Sequence, residues 1–204
     1  MTPSLRLCVS SPVTVGGEAL AWYDFTMFVN PLSVLDALGI SAGMTVGDFG
    51  SGEGAYAREL VKRVGKSGVV YAFDVQKDLV TRLAAEAKTN KVDNLHAIWA
   101  DLDERGGTTL VDNSLDTAII ANVLFQSEQR ASFIAEVVRV LRPNGRLLLV
   151  DWSDATGPLG PRADHVITKD AARALVEAAG LVFDREIDSG THHYGLLFRK
   201  VSQR

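Results

Sequence analysis

The ten residues Thr45-Val46-Gly47-Asp48-Phe49-Gly50-Ser51-Gly52-Glu53-Gly54 set the strongest limit on what this chain can fold into. They read as a strand that ends on a carboxylate and runs through a glycine loop into a helix. Glycines at such a turn tolerate backbone angles that other residues avoid and let a ligand approach the main chain. The first amides of the following helix then point outward as donors. Spacing alone leaves the ligand open, because Gly50, Gly52 and Ala55 also satisfy the dinucleotide-binding fingerprint with its permitted terminal alanine. Asp48 separates the two readings. A carboxylate two residues before the first loop glycine repels a pyrophosphate and attracts the ammonium group of an amino-acid-like ligand.

Two further acids close apolar runs. Val69-Val70-Tyr71-Ala72-Phe73-Asp74 ends 22 residues after Gly52, about where a second strand ends after one crossover helix. His96-Ala97-Ile98-Trp99-Ala100-Asp101-Leu102 places an acid after a third strand, and Leu141-Arg142-Pro143-Asn144-Gly145 followed by Arg146 to Val150 reads as a helix end, a turn and a fifth strand. In this order the segments resemble the class I S-adenosylmethionine-dependent methyltransferases over about residues 31 to 200, in the group that includes the ubiquinone and menaquinone biosynthesis methyltransferases. The resemblance implies S-adenosylmethionine as cofactor. It implies Asp48 and the loop of Gly50, Ser51, Gly52 and Gly54 at the amino-acid end, Asp74 at the ribose hydroxyls, and Val75 among the cofactor contacts. It also implies Asp101 with Leu102 at the adenine amino group and Asn122 beside the methionine end. The Asn122 segment continues Val123-Leu124-Phe125, without the two prolines and aromatic residue of the amine-positioning motif of amino methyltransferases. Each acid also has a plain structural role open to it: Asp48 as a strand-end turn residue, Asp74 as a cap on a helix beginning near Gln76, Asp101 as a turn former beside Asp103 and Glu104. Glu53 is explained by the helix dipole alone.

Apolar β-rich runs alternate with helical patterns along the chain, the signature of a mostly parallel sheet covered on both faces. Helices are predicted near Pro31 to Leu38, Ala55 to Val64, Lys77 to Thr89, Ser127 to Leu141 and Thr168 to Ala179, with Ser127 capping the fourth. Leu115 to Ala121 and Gly145 to Val150 read as the fourth and fifth strands. Leu181 to Ile187 and Tyr194 to Lys200 flank a turn at Asp188 to Thr191. The expected fold class is α/β: a Rossmann-like, doubly wound, seven-stranded sheet with a C-terminal antiparallel hairpin. The seven-stranded order comes from the resemblance. Residues 31–204 form the methyltransferase domain on this reading. Residues 1–30, with Trp22, Tyr23, Phe25, Met27 and Phe28, form an N-terminal segment that either packs as core or covers the substrate.

With 204 residues, 47% hydrophobic content and 23% charged, the chain can bury one substantial core. A formal charge of −4 and the lack of a basic block argue against a nucleic-acid partner. Cys8, the single cysteine, permits no internal disulfide and disfavours arsenite as substrate; no apolar run reaches membrane-spanning length. A cytoplasmic protein without a membrane partner is expected, with a homodimer left open. Gly65-Lys66-Ser67 lacks the first glycine of a triphosphate loop, since Leu60 stands there, and reads as a surface turn. His192 and His193 are adjacent and point to opposite faces if extended, so they cannot easily share a metal. No metal site is expected. The expected activity is methyl transfer to a small-molecule acceptor. Asp151, Asp154 and His193 are candidates for a base by region only, no catalytic residue is assigned, and the segment from Asp151 to Arg162 is read as a substrate rim. A noncatalytic cofactor-binding protein and an NAD-dependent dehydrogenase are the alternatives.

Overall fold

The computed structural model describes residues 31–155 and 161–202, together with the backbone of residues 14–15 and 18–19. The aromatic cluster of residues 22–28, Cys8, and the part of the rim at residues 156–160 lie outside the described residues. Two short strands, β1 (Thr14–Val15) and β2 (Glu18–Ala19), pair with each other, and α1 spans Pro31–Asp36. Then come β3 (Thr45–Phe49), α2 (Ala55–Val64), β4 (Val69–Asp74), α3 (Lys77–Thr89), β5 (Leu95–Trp99) and β6 (Leu115–Ala121). The chain ends with α4 (Arg130–Val140), β7 (Leu141–Trp152), α5 (Lys169–Ala178), β8 (Leu181–Ile187) and β9 (His193–Lys200).

The main sheet has seven strands in the order β5-β4-β3-β6-β7-β9-β8. β3, β4, β5, β6 and β7 pair in parallel, whereas β9 runs antiparallel to both β7 and β8. Alternation along the strands sends side chains to two cores. Phe49, Phe73, Ile120, Leu149 and Phe198 pack under α4 and α5. Val46, Ala72, Ile119, Leu148 and Leu197 pack under α1, α2 and α3. The amphipathic spacing of Ala57, Leu60 and Val64 on α2 gives that helix one buried face, and Leu83 and Ala87 do the same for α3. Thr168 caps α5 by accepting the Ala171 amide at 3.3 Å. Among the described residues, no helix is long and apolar enough to cross a membrane.

Several boundaries differ from the sequence expectation, among them the start of β7, at Leu141 rather than Gly145, and the end of α1, at Asp36 rather than Leu38. The fourth helix starts at Arg130 rather than Ser127, after a 3₁₀ turn at Leu124–Gln126. Ser127 does not cap it: its hydroxyl donates to Asp103, whose other carboxylate oxygen accepts the Glu128 and Gln129 amides at 3.2 and 3.3 Å. The cap thus comes from a residue distant in sequence. The fifth strand continues past Val150 to Trp152 because Asp151 and Trp152 still pair with Tyr194 and His193 on β9. Between β5 and β6 the chain forms turns, pinned by the fully buried Glu136 of α4. Its carboxylate accepts the Gly106 amide at 2.8 Å, the Thr108 amide at 3.2 Å and two Arg139 donors at 2.7 and 2.8 Å.

Candidate functional site

β3 ends at Phe49, and the next residues cross the end of β4: the Gly50 and Ser51 amides both donate to the Phe73 carbonyl, at 2.8 and 2.9 Å. Gly50, Gly52 and Gly54 have φ of +82°, +52° and +85°, angles that side chains with a Cβ rarely adopt. Their surroundings differ. A Cβ on Gly50 would lie 2.6 Å from Val123 Cγ2, and one on Gly54 would lie 2.6 Å from Leu83 Cδ1, whereas a Cβ on Gly52 would meet nothing within 4 Å. Two of the glycines are therefore small so that the loop can pack. Only Gly52 presents bare backbone to open space.

Asp48 shares the α2 face of the sheet with Val46 and is 1% exposed. The Ala57 amide donates to its carboxylate, yet Oδ2 has no hydrogen-bond partner. Burial, and then the nearby charge of Asp74, push its pKa up to about 7. Asp74, at the end of β4, is 6% exposed and accepts the Gly52 amide and the Gln76 amide, both at 2.8 Å. Asp74 thus holds the turn that leads into α3, whose N-cap residue is Gln76, and the same carboxylate also fixes the glycine loop. Tyr56, in the first turn of α2, was not singled out by the sequence. Its hydroxyl is buried without a partner, and its pKa is raised by burial and then by Asp48.

Val75 follows Asp74 and is 37% exposed; its carbonyl accepts the Trp99 indole N–H at 2.8 Å, and Lys77 sits 5.1 Å above that indole ring. Asp101 accepts the Asp103 amide at 3.1 Å, the turn-forming role available to it, and the Leu102 side chain is buried in the core. Asn122 follows β6 at φ +56°, and its side-chain oxygen is buried without a partner. These residues line the carboxyl ends of β3, β4, β5 and β6, the edge where open α/β sheets bind ligands. A groove of about 580 Å³ along α3 and β5 is lined by neither Asp48 nor Gly52.

On the other side of β6 the structure separates the groups that the sequence assigned only by region: Asp151 and His193 lie on opposite faces of the sheet, and Asp154 meets His192 instead. Asp151 is 1% exposed and accepts the Phe125 and Trp152 amides at 3.1 and 2.9 Å. Burial lifts its pKa to about 7 against those bonds. The Tyr194 hydroxyl is buried without a partner on the same face. His193 lies on the opposite face, its ring 4.3 Å from that of Trp152, with neither nitrogen hydrogen-bonded and with burial, then the His192 charge, lowering its pKa to about 4. His192 instead meets the Asp154 carboxylate at 3.0 Å. The two histidines do not converge, and among the described residues no group of acids, cysteines and histidines could hold a metal ion.

Known proteins share this sequence pattern and fold. A family profile described as a methyltransferase domain matches residues 40–180. The ubiquinone/menaquinone biosynthesis C-methyltransferase UbiE of Laribacter hongkongensis is 30% identical over 160 residues, which cover 76% of this chain and 59% of that protein. The crystal structure of a SAM-dependent methyltransferase from Aquifex aeolicus superposes with a TM-score of 0.78 at 28% identity, covering 86% of this chain and 92% of that one. The [4+2]-cyclase SpnF shares the fold, with a TM-score of 0.72 at 17% identity over 85% of this chain and 80% of its own. The chain spans 35% of the length of one further curated relative and 59% of another. It belongs to the methyltransferase-domain family, whose cofactor is S-adenosylmethionine.

Proposed function

We propose that the protein catalyses S-adenosylmethionine-dependent methyl transfer to a small-molecule acceptor. The observation that carries this reading is the Asp48 carboxylate: it is buried beside the glycine loop with one oxygen unpartnered, where a cationic amine would satisfy it and a pyrophosphate would be repelled. The residues present fit the cofactor. Asp48 would take the ammonium group, and the bare backbone at Gly52 would let the amino-acid end approach. Asp74 would accept the ribose hydroxyls with lone pairs left after its two amide bonds. Val75, Asp101 and Leu102 would flank the base, with Gly50, Ser51 and Gly54 shaping the loop. The unpartnered Asn122 oxygen would face the methionine end.

The bound cofactor supplies a methyl carbon made electrophilic by its sulfonium. The protein's part is to align an acceptor with that carbon and keep water out. UbiE is, by name, a C-methyltransferase of ubiquinone and menaquinone biosynthesis, which supports a small organic acceptor here. The cyclase shows that this fold can carry other chemistry, and a protein that binds the cofactor without transferring its methyl group is the second reading. Titration calorimetry with S-adenosylmethionine and NAD, followed by transfer of labelled methyl to an acceptor panel, tests both. Affinity for NAD alone would overturn the assignment. Tight S-adenosylmethionine binding without transfer to any acceptor would favour the second reading.

A further inference from the structure

We propose that the Tyr56 hydroxyl is a second acceptor, beside Asp48, for the ammonium group of the cofactor, so that the pair selects ligands with an intact charged amine. The proposal rests on the cofactor reading above and goes beyond it by naming a residue that the glycine loop and strand-end acids do not predict. Tyr56 sits in the first turn of α2, the amide of the next residue, Ala57, donates to Asp48, and the Asp48 charge acts on the Tyr56 hydroxyl, which puts both in one region of the fold. The Tyr56 ring packs against the core cluster that contains Ala57, Leu60 and Leu83.

Both oxygens in this corner lack partners. Asp48 Oδ2 and the Tyr56 hydroxyl are each buried, and each is without a hydrogen bond. Buried polar groups are rarely left so, and a phenylalanine would fill the same space without the penalty. An ammonium group carries three N–H donors, while a carboxylate and a phenol each offer an accepting lone pair. One cationic amine can therefore satisfy both oxygens at once. A ligand carboxylate cannot take its place, because Asp48 and Asp74 both present negative charge to this corner.

Three ligands separate the possibilities by calorimetry on wild type and Tyr56→Phe. S-adenosylmethionine has the ammonium and the carboxylate, decarboxylated S-adenosylmethionine keeps only the ammonium, and 5′-methylthioadenosine has neither. Tyr56→Phe is expected to weaken the first two by about tenfold, the size of one hydrogen bond to a charged group, and to leave the third unchanged. The unchanged nucleoside affinity also certifies the fold of the variant. Unaltered affinity for S-adenosylmethionine would overturn the proposal. So would a loss confined to S-adenosylmethionine, which places the contact at the carboxylate, or an equal loss for all three ligands, which makes Tyr56 a scaffold residue. A wild type that binds none of the three removes the cofactor reading itself, and the proposal with it.

Discussion

Asp48→Asn is expected to make the empty protein more stable and the cofactor weaker, and the two effects share one cause. The folded-state pKa of Asp48 is raised from 3.8 to about 7, so the folded protein holds this proton more tightly than the unfolded chain does. Its contribution to stability therefore falls as pH rises from about 4 to about 7 and is level above that. A rise of about three units corresponds to at most about 4 kcal/mol of destabilisation once the carboxylate is ionised. Water penetration and relaxation bring the working figure nearer half of that. Asparagine keeps the size and stays neutral. At pH 8 the empty variant should melt roughly 4 to 8 °C above wild type, at about 2 to 4 °C per kcal/mol for a chain of this length. Near pH 4.5 the gap should shrink, since wild-type Asp48 is then protonated in the folded state.

S-adenosylmethionine should bind the variant about ten- to a hundredfold more weakly, because the carboxylate that its ammonium would neutralise is gone. The same linkage makes wild-type binding at pH 6 release a proton, visible as a buffer-dependent heat in phosphate and imidazole, and makes that release fall away as pH rises well above 7. Melting curves of the empty proteins at pH 4.5 and 8, with calorimetry at pH 8, check all of this. Asparagine introduces N–H donors that need partners, so the change of the gap with pH is the decisive quantity rather than its absolute size. A melting difference that does not change with pH would refute the claim that Asp48 is a buried charge awaiting a cation. NAD affinity that rises in the variant would turn the ligand assignment around.

The glycines of the loop should separate by substitution. Gly50→Ala forces a Cβ to 2.6 Å from Val123 and should lower the melting temperature strongly, whereas Gly52→Ala, with open space, should cost only about 1 kcal/mol of fold yet weaken S-adenosylmethionine. Asp74→Asn should weaken S-adenosylmethionine and 5′-methylthioadenosine alike by about tenfold, since both carry the ribose; an effect on only one of them in calorimetry would remove Asp74 from that end. For Glu136, burial acts to raise the pKa, but bonds from Arg139, Thr108 and Gly106 outweigh it and hold it at about 2. Its stabilisation, up to about 3 kcal/mol, is thus present above about pH 4.5 and lost as pH falls through about 2. Glu136→Gln should lower the melting temperature at pH 7 and much less at pH 2 in thermal scans.

What the sequence discloses about this fold is what neighbouring residues decide. The limits of α2 and α3 follow from apolar spacing within each segment, and β4, β6 and β8 follow from short apolar runs closed by turns. The start of α4 does not, because its cap, Asp103, is separated from it by the whole of β6. The roles of the glycines were only partly legible. Their pattern marks a tight loop, but that Gly50 yields space to Val123 and Gly54 to Leu83 depends on segments that meet only in the folded chain. Tyr56 carried no signal: a tyrosine two residues after a glycine loop is ordinary until its hydroxyl is seen buried without a partner.

The same distinction divides the carboxyl edge of the sheet into two halves. On the side of β3, β4 and β5, position in sequence nearly fixes position in space. A strand, a loop and one crossover helix bring Asp74 back beside Gly52 at 2.8 Å, so a strand-end acid 22 residues on has few other places to go. Across β6, the groups that meet come from β7 and β9, strands joined through α5 and β8 and matched by antiparallel register, which pairs Asp151 with Tyr194 and Trp152 with His193. A one-residue slip in that register would exchange the two faces, carrying Tyr194 away from Asp151 and His193 away from Trp152. On the proposed cofactor side a short spaced motif therefore suffices to bring the groups together. The groups across β6 have no such motif, because they meet through strand pairings that only the assembled sheet defines.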